Sequence, residues 1–390
     1  MKSRVTIVAG LLGMLVPLAA CASEDGTVDQ AALSAETCLD EAPAGGVQAG
    51  TVVRDSLKGE TLTFAGWGGE YTDAQVAAFV KPFEACSGAK VAVDMPTSFP
   101  KLQAMVESGN VLWDVVYGLN LDSKKKCADC LLEIDTDKVD ISNLSPTAVE
   151  DARDRQGALR AMPIDLSPSY LLYSEEKFKS DPPSSPEDFF DVDKYPGKRM
   201  LIGDAAFPDT LTWTMAARAA GFTDEQIAAD FPFDEAAAVM EKIRTEIVYA
   251  ATSADQQQQL EQGRVAMASA YLGRAYNAAQ NTGSAYVPID GTGAVGVGTV
   301  SIPRGSKNVE AGWALLNFMA GPAQQSEVAE TQIYSPANLV AEPSVPESMK
   351  PYYVPSAEAQ DMLMVWSETY GGSDFVAEIA KHHADFMTKG

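Results

Sequence analysis

Histidine is nearly absent from this 390-residue chain: there are two, His382 and His383, side by side near the C-terminus. Neighbours on a helix point to different faces and cannot form one site. The chain also lacks a G-x-S-x-G elbow, so nothing supports a Ser-His-Asp hydrolase. Carboxylates are plentiful, and in so acidic a chain their pairing carries no catalytic signal. Positive charge is scarce: 29 Lys and Arg face 54 Asp and Glu, a net charge of −25. Such a surface repels nucleic acid and is compatible with attracting small cations. Cysteine is sparse at five residues. No catalytic constellation, metal site or cofactor motif is expected. Gly291-x-Gly293-x-x-Gly296 matches a dinucleotide fingerprint only formally. A strand ending at Pro303 follows it, not a helix, and no acidic residue stands about 20 positions on.

What is present begins with an export signal. Lys2 and Arg4 precede an apolar run from Val5 to Ala20, so residues 1–20 read as a secretory signal peptide. The run is too short for a committed membrane span and has no stop-transfer flank. Leu18-Ala19-Ala20-Cys21 resembles a bacterial lipobox, in which Cys21 becomes the lipidated N-terminus. More than one acyl chain there would anchor the protein stably. Residues 21–57 are rich in Ala, Gly, Asp, Glu and Thr and are expected to form a lipid-anchored flexible tether. The length of the chain implies two lobes instead of one core. Cys38, Cys86, Cys127 and Cys130 are an even number in an exported chain and suggest two disulfides, with three pairings open. As a redox motif, Cys127-Ala-Asp-Cys130 lacks the usual place at the end of a first strand. As a zinc half-site it lacks a second pair or nearby histidines.

The chain is organised around Thr61 to Tyr117. Leu62 and Phe64 alternate as a strand that ends at Gly66-Trp67-Gly68-Gly69. Val76, Phe79, Val80 and Phe83 then recur at helical spacing, with Thr72 as the expected cap and Ser87-Gly88 as the stop. Lys90 to Asp94 alternates as a second strand. Leu102, Met105 and Val106 mark a helix ending near Gly109, and Trp113 to Tyr117 is a third strand. Alternating strands and helices predict a parallel sheet with right-handed crossovers. The glycine turn then falls at the carboxyl edge of the sheet, where open α/β folds bind ligands.

Trp67-Gly68-Gly69-Glu70-Tyr71, Pro82-Phe83-Glu84, Gly88, Val91, Gly109 and Trp113-Asp114-Val115-Val116 together resemble the spermidine/putrescine-binding family of solute-binding proteins of ABC importers. The resemblance continues through Leu171-Leu172-Tyr173-Ser174, Lys194-Tyr195-Pro196-Gly197-Lys198, Ile302-Pro303-Arg304-Gly305-Ser306-Lys307-Asn308 and Tyr334-Ser335-Pro336-Ala337-Asn338. It implies a two-lobe α/β periplasmic-binding-protein fold of type II (a Venus flytrap) with crossing hinge strands. Lobe 1 would comprise residues 58–164 and 291–335, lobe 2 residues 165–290, and residues 336–390 would form C-terminal helices packing on the lobes. The implied function is non-enzymatic: an exported lipoprotein, held at the outer face of the cytoplasmic membrane or in the periplasm, captures a small amine-containing ligand. It would deliver that ligand to a membrane permease, and it is expected to be a monomer. A solute-sensing module for a membrane receptor is the alternative, with an enzyme using the same cleft as the remote one.

Within this frame the expected ligand site has four parts. Trp67 and Tyr71 straddle the turn whose Gly68 and Gly69 let backbone N–H groups approach a ligand. Aromatic faces hold ammonium groups by about 0.5–2 kcal/mol each. Tyr117 ends a neighbouring strand, with Asn120 in the loop beyond. Asp165 stands at the crossover between lobes as the candidate carboxylate, its alternative being a turn cap. Tyr271 and Arg274 lie in a segment that resembles a cleft-facing loop of the family. Typical polyamine binders carry an aromatic and an aspartate downstream of the position of Asp290, and this chain has neither. Arg274 inside the cleft would repel a polyamine and clamp a carboxylate; paired with an acid at the rim, it would leave the polyamine reading intact.

Overall fold

The computed structural model describes residues 37–119, 127–154, 156–203, 209–250, 252–362 and 375–388. The signal peptide, Cys21 and Asn120 therefore lie outside the described residues. Twelve strands are described, in chain order β1 (Cys38–Leu39), β2 (Val52–Val53), β3 (Thr61–Ala65), β4 (Lys90–Asp94), β5 (Val115–Tyr117) and β6 (Met162–Ser174). They continue with β7 (Arg199–Ile202), β8 (Ile247–Ala250), β9 (Met267–Tyr271), β10 (Tyr286–Pro288), β11 (Ala294–Ser301) and β12 (Ser335–Pro336). Ten of them form one sheet whose main path runs β4-β3-β5-β11-β6-β9-β7-β8, with β10 and β12 also paired to β6.

At one end β3 pairs in parallel with β4 and β5, as the alternating strands and helices predict. At the other, β7 pairs in parallel with β8 and β9. The two strands between these ends are antiparallel to their neighbours, because they are hinge strands and not crossover strands. The 13 residues of β6 run from one lobe into the other. Its first half pairs with β11 and its second half with β9. Separate buried clusters lie to either side. One, around Phe64, Phe79, Phe83 and Phe318, fills lobe 1. Another, around Trp213, Phe189, Phe190 and Met240, fills lobe 2.

Local chemistry fixes the elements around the turn. The helix after β3 starts at Gly69 and is interrupted by a wide turn over Val76–Val80 before resuming as Lys81–Ser87. Pro82 has no N–H to give the preceding turn, and a wide turn is one way a helix absorbs that loss. Phe79, Val80 and Phe83 are buried as their spacing predicts, and Gly88 closes the helix in the left-handed conformation. Asp114 ties three segments together. It accepts from Thr63 N–H at 2.8 Å, Ser306 Oγ at 2.7 Å and Asn308 Nδ2 at 3.2 Å. Three of the motif residues behind the family resemblance thus form one structural knot.

Two expectations change. Thr72 does not cap the helix: Gly68 is the cap residue, and the Thr72 hydroxyl accepts the Gly68 N–H from inside the first turn at 2.9 Å. Residues from Cys38 to 57 are not a free tether. Cys38 is bonded to Cys86, and Asn317 Nδ2 donates to the carbonyls of Gln48 and Thr51 at 2.9 and 3.1 Å. Composition marked the stretch as loose, and contacts from more than 200 residues away hold it. Cys127 pairs with Cys130. The final helix, Phe375–Thr388, packs on lobe 2, where Ile379 and Phe386 join the Trp213 cluster.

Candidate ligand-binding site

The central strand pair β6–β11 carries one buried carboxylate. Asp165, on β6, is 3 % exposed and faces Gly298 of β11 across the pair. A Cβ on Gly298 would lie 2.1 Å from Asp165 Oδ2, so the carboxylate occupies room that a side chain there would take. Tyr71 donates its hydroxyl to Asp165 Oδ2 at 2.5 Å and Tyr117 donates to the same oxygen at 3.1 Å. The other oxygen, Oδ1, is buried with no hydrogen-bond partner. Burial lifts the carboxyl to a pKa of about 6, against the pull of the two hydroxyl bonds. A buried carboxylate with one free oxygen is unfavourable unless a cation or donor joins it.

Three tyrosine rings pack together beside that carboxylate. The Tyr71 ring lies 5.4 Å from Tyr117 and 4.4 Å from Tyr334. Tyr334 has charge of both signs nearby: its hydroxyl pKa is raised by burial above all, lowered by Arg274, and raised by Asp165 and Tyr271. Tyr271, at the end of β9, is raised by burial and then by Asp209, while Arg274 opposes the rise. Arg274 Nη1 donates to Gln257 Oε1 at 3.5 Å. Among the described residues no carboxylate forms an ion pair with Arg274, whereas most other arginines have one.

The structure thus brings Tyr71, Tyr117 and Asp165 into direct contact and places Tyr271 and Arg274 within electrostatic reach through Tyr334. Trp67 stands at the rim, 50 % exposed. A Cβ on Gly118 would lie 2.2 Å from its indole Nε1, so the ring rests on bare backbone beside Tyr117. Gly68 differs from expectation, because its N–H is taken up by Thr72 and does not face a ligand. Gly69 lies at the start of the helix with φ 72°, the left-handed region that glycine supplies at little cost. Tyr334 was not foreseen as a site residue. Its signal was available as the aromatic opening the Tyr334-Ser335-Pro336-Ala337-Asn338 turn, but only β12 pairing with β6 at Asp165 shows why it lands there.

Comparison with known proteins places the chain in a family. Residues 78–353 match the family described as bacterial extracellular solute-binding protein. A γ-aminobutyric acid-binding protein of Pseudomonas aeruginosa is 26 % identical over 286 residues, covering 72 % of this chain and 77 % of the relative. The solved structure of a GABA receptor superposes with a TM-score of 0.70 at 23 % identity, covering 85 % of this chain and 98 % of that one. The spermidine/putrescine substrate-binding protein of a Streptococcus pneumoniae ABC transporter superposes with a TM-score of 0.67 at 19 % identity, over 84 % and 99 % of the two chains. These likenesses show the two-lobe type II fold.

Proposed function

The chain belongs to the bacterial extracellular solute-binding protein family, and from that premise we propose that its cleft captures a small zwitterion with a separated amine and carboxylate. The family and the relatives are solute-binding proteins, not enzymes. The observation that carries the proposal is the free, buried Oδ1 of Asp165. An ammonium group there would pair with the carboxylate and lie against the tyrosine faces. The carboxylate missing downstream of Asp290 is supplied here from the opposite hinge strand, in the room left by Gly298. Arg274, without an acidic partner among the described residues, supports a carboxylate at the other end of the ligand. The relative named for γ-aminobutyric acid supports the same ligand class.

Calorimetric titration with three probes tests this reading. γ-Aminobutyrate offers both charges, putrescine two amines and butyrate only a carboxylate. The zwitterion should bind at least tenfold more tightly than either of the others. Putrescine binding as well as γ-aminobutyrate would place Arg274 outside the site and make polyamines the cargo. No binding of either amine would remove Asp165 as an ammonium site.

The proposal includes delivery of the ligand to an ABC permease and anchoring through a lipidated Cys21. Among the described residues no helix is long and apolar enough to cross a membrane. Cells fed a radiolabelled fatty acid should label the wild-type chain and leave Cys21→Ala unlabelled; equal labelling of both would exclude Cys21 as the anchor.

A further inference from the structure

One exposed hydrogen bond joins the helix after β3 to the helix after β9. Asn277 Nδ2 donates to Glu70 Oε2 at 2.9 Å, between residues 207 apart in the chain. Glu70 belongs to the first turn of the helix after β3, next to Tyr71, whose hydroxyl holds Asp165. Asn277 belongs to the helix Leu272–Thr282, which begins directly after Tyr271. It lies three residues beyond Arg274, and residues at that spacing share a helix face. The bond therefore joins the element that carries the amine end of the site to the element that carries its carboxylate end. Close by, Gly273 lies against Ile333, with 3.8 Å from a Cβ built on the glycine to Ile333 Cβ.

We propose that Glu70 and Asn277 form the latch that holds the cleft closed over its ligand. The two residues sit on opposite lobes, so a hinge opening along β6 and β11 separates them. Hinge closure around a ligand is a general mode of capture, and residues that stabilise only the closed state slow release without speeding entry. A charge-assisted bond at an exposed rim is strong enough to bias closure and weak enough to break at each opening. Neither residue touches the Asp165 oxygens, so both are positioning residues acting through closure.

The latch rests on the two-lobe binding reading, and its test separates the two. Hydrogen–deuterium exchange of the full-length protein without ligand reads opening at residues 66–71 and 271–277. Glu70→Ala, Asn277→Ala and the double variant should speed exchange there equally, and Glu70→Gln, which keeps an accepting oxygen but not the charge, should recover part of the wild-type protection. Additive effects, or no effect, would overturn the latch whatever the ligand is. With γ-aminobutyrate bound, stopped-flow dissociation should quicken about three- to tenfold in both single variants, with the association rate unchanged. A change confined to association would equally contradict it. If wild-type protein binds no amine while the exchange pattern holds, the ligand reading fails and the latch stands.

Discussion

Asp165 is held in a state that favours binding over stability. Its carboxyl pKa of about 6 lies above the ordinary value of 3.8. In the unliganded protein the ionised form is therefore the unfavourable one. The stability this group contributes is fully present below about pH 4 and is lost as pH rises through 6. At pH 8 the loss amounts to about 3 kcal/mol. Asp165→Asn keeps the shape and removes the charge. It should raise the unfolding free energy of the unliganded protein at pH 8, measured in urea, by up to that amount, while weakening amine binding at least tenfold. An Asp165→Asn variant that is less stable and still binds would sink this assignment. The pH dependence of affinity has the opposite sign to that of stability. An ammonium group needs the ionised carboxylate, so wild-type affinity should fall about tenfold per pH unit below pH 6. Titrations between pH 5 and 8 would show it, and a flat profile would contradict it.

At the scale of elements, the β6–β11 pair decides where that carboxylate can be. Gly298 sits opposite Asp165 in the register, just before the irregularity between Gly298 and Thr299. Its backbone needs no glycine for its φ, and the constraint is steric alone: a Cβ would stand 2.1 Å from Oδ2. Gly298→Ala should push the carboxylate out of the tyrosine bonds and weaken amine binding by tenfold or more, with the disulfides intact. Calorimetry with γ-aminobutyrate checks this; unchanged affinity would mean that the close approach is incidental. In the sequence the glycines at 291, 293 and 296 read only as a false fingerprint, and Gly298 carried no reading. Their use is visible once the register is known, because a cross-strand partner is set by pairing and not by spacing along the chain. Helix and strand periods placed Leu62, Phe83 and Leu102 in the core correctly, since burial on one face follows from local pattern. The wide turn before Pro82 and the Gly68 cap escaped because they depend on which N–H groups find partners.

For the whole molecule, two α/β lobes around a cleft were legible from length, strand–helix alternation and the motif residues from Trp67 to Val116. The docking of residues after Cys38 was not, because Asn317 and Cys86 act on that segment from far away in sequence. Arg274 carries the question that the sequence left open. Arg274 acts electrostatically on Tyr334 and Tyr271 and has no acidic partner among the described residues, while Asp165 acts on Tyr334 as well. A tyrosine that feels both an arginine and a carboxylate suits a site for a ligand with opposite charges at its two ends. The most direct measurement is therefore titration calorimetry of Arg274→Ala against γ-aminobutyrate and putrescine. The account predicts that γ-aminobutyrate binding collapses by at least a hundredfold, the scale of a lost charge pair in a desolvated site, while putrescine binds as well as before or better. γ-Aminobutyrate binding the variant and the wild type alike would contradict it.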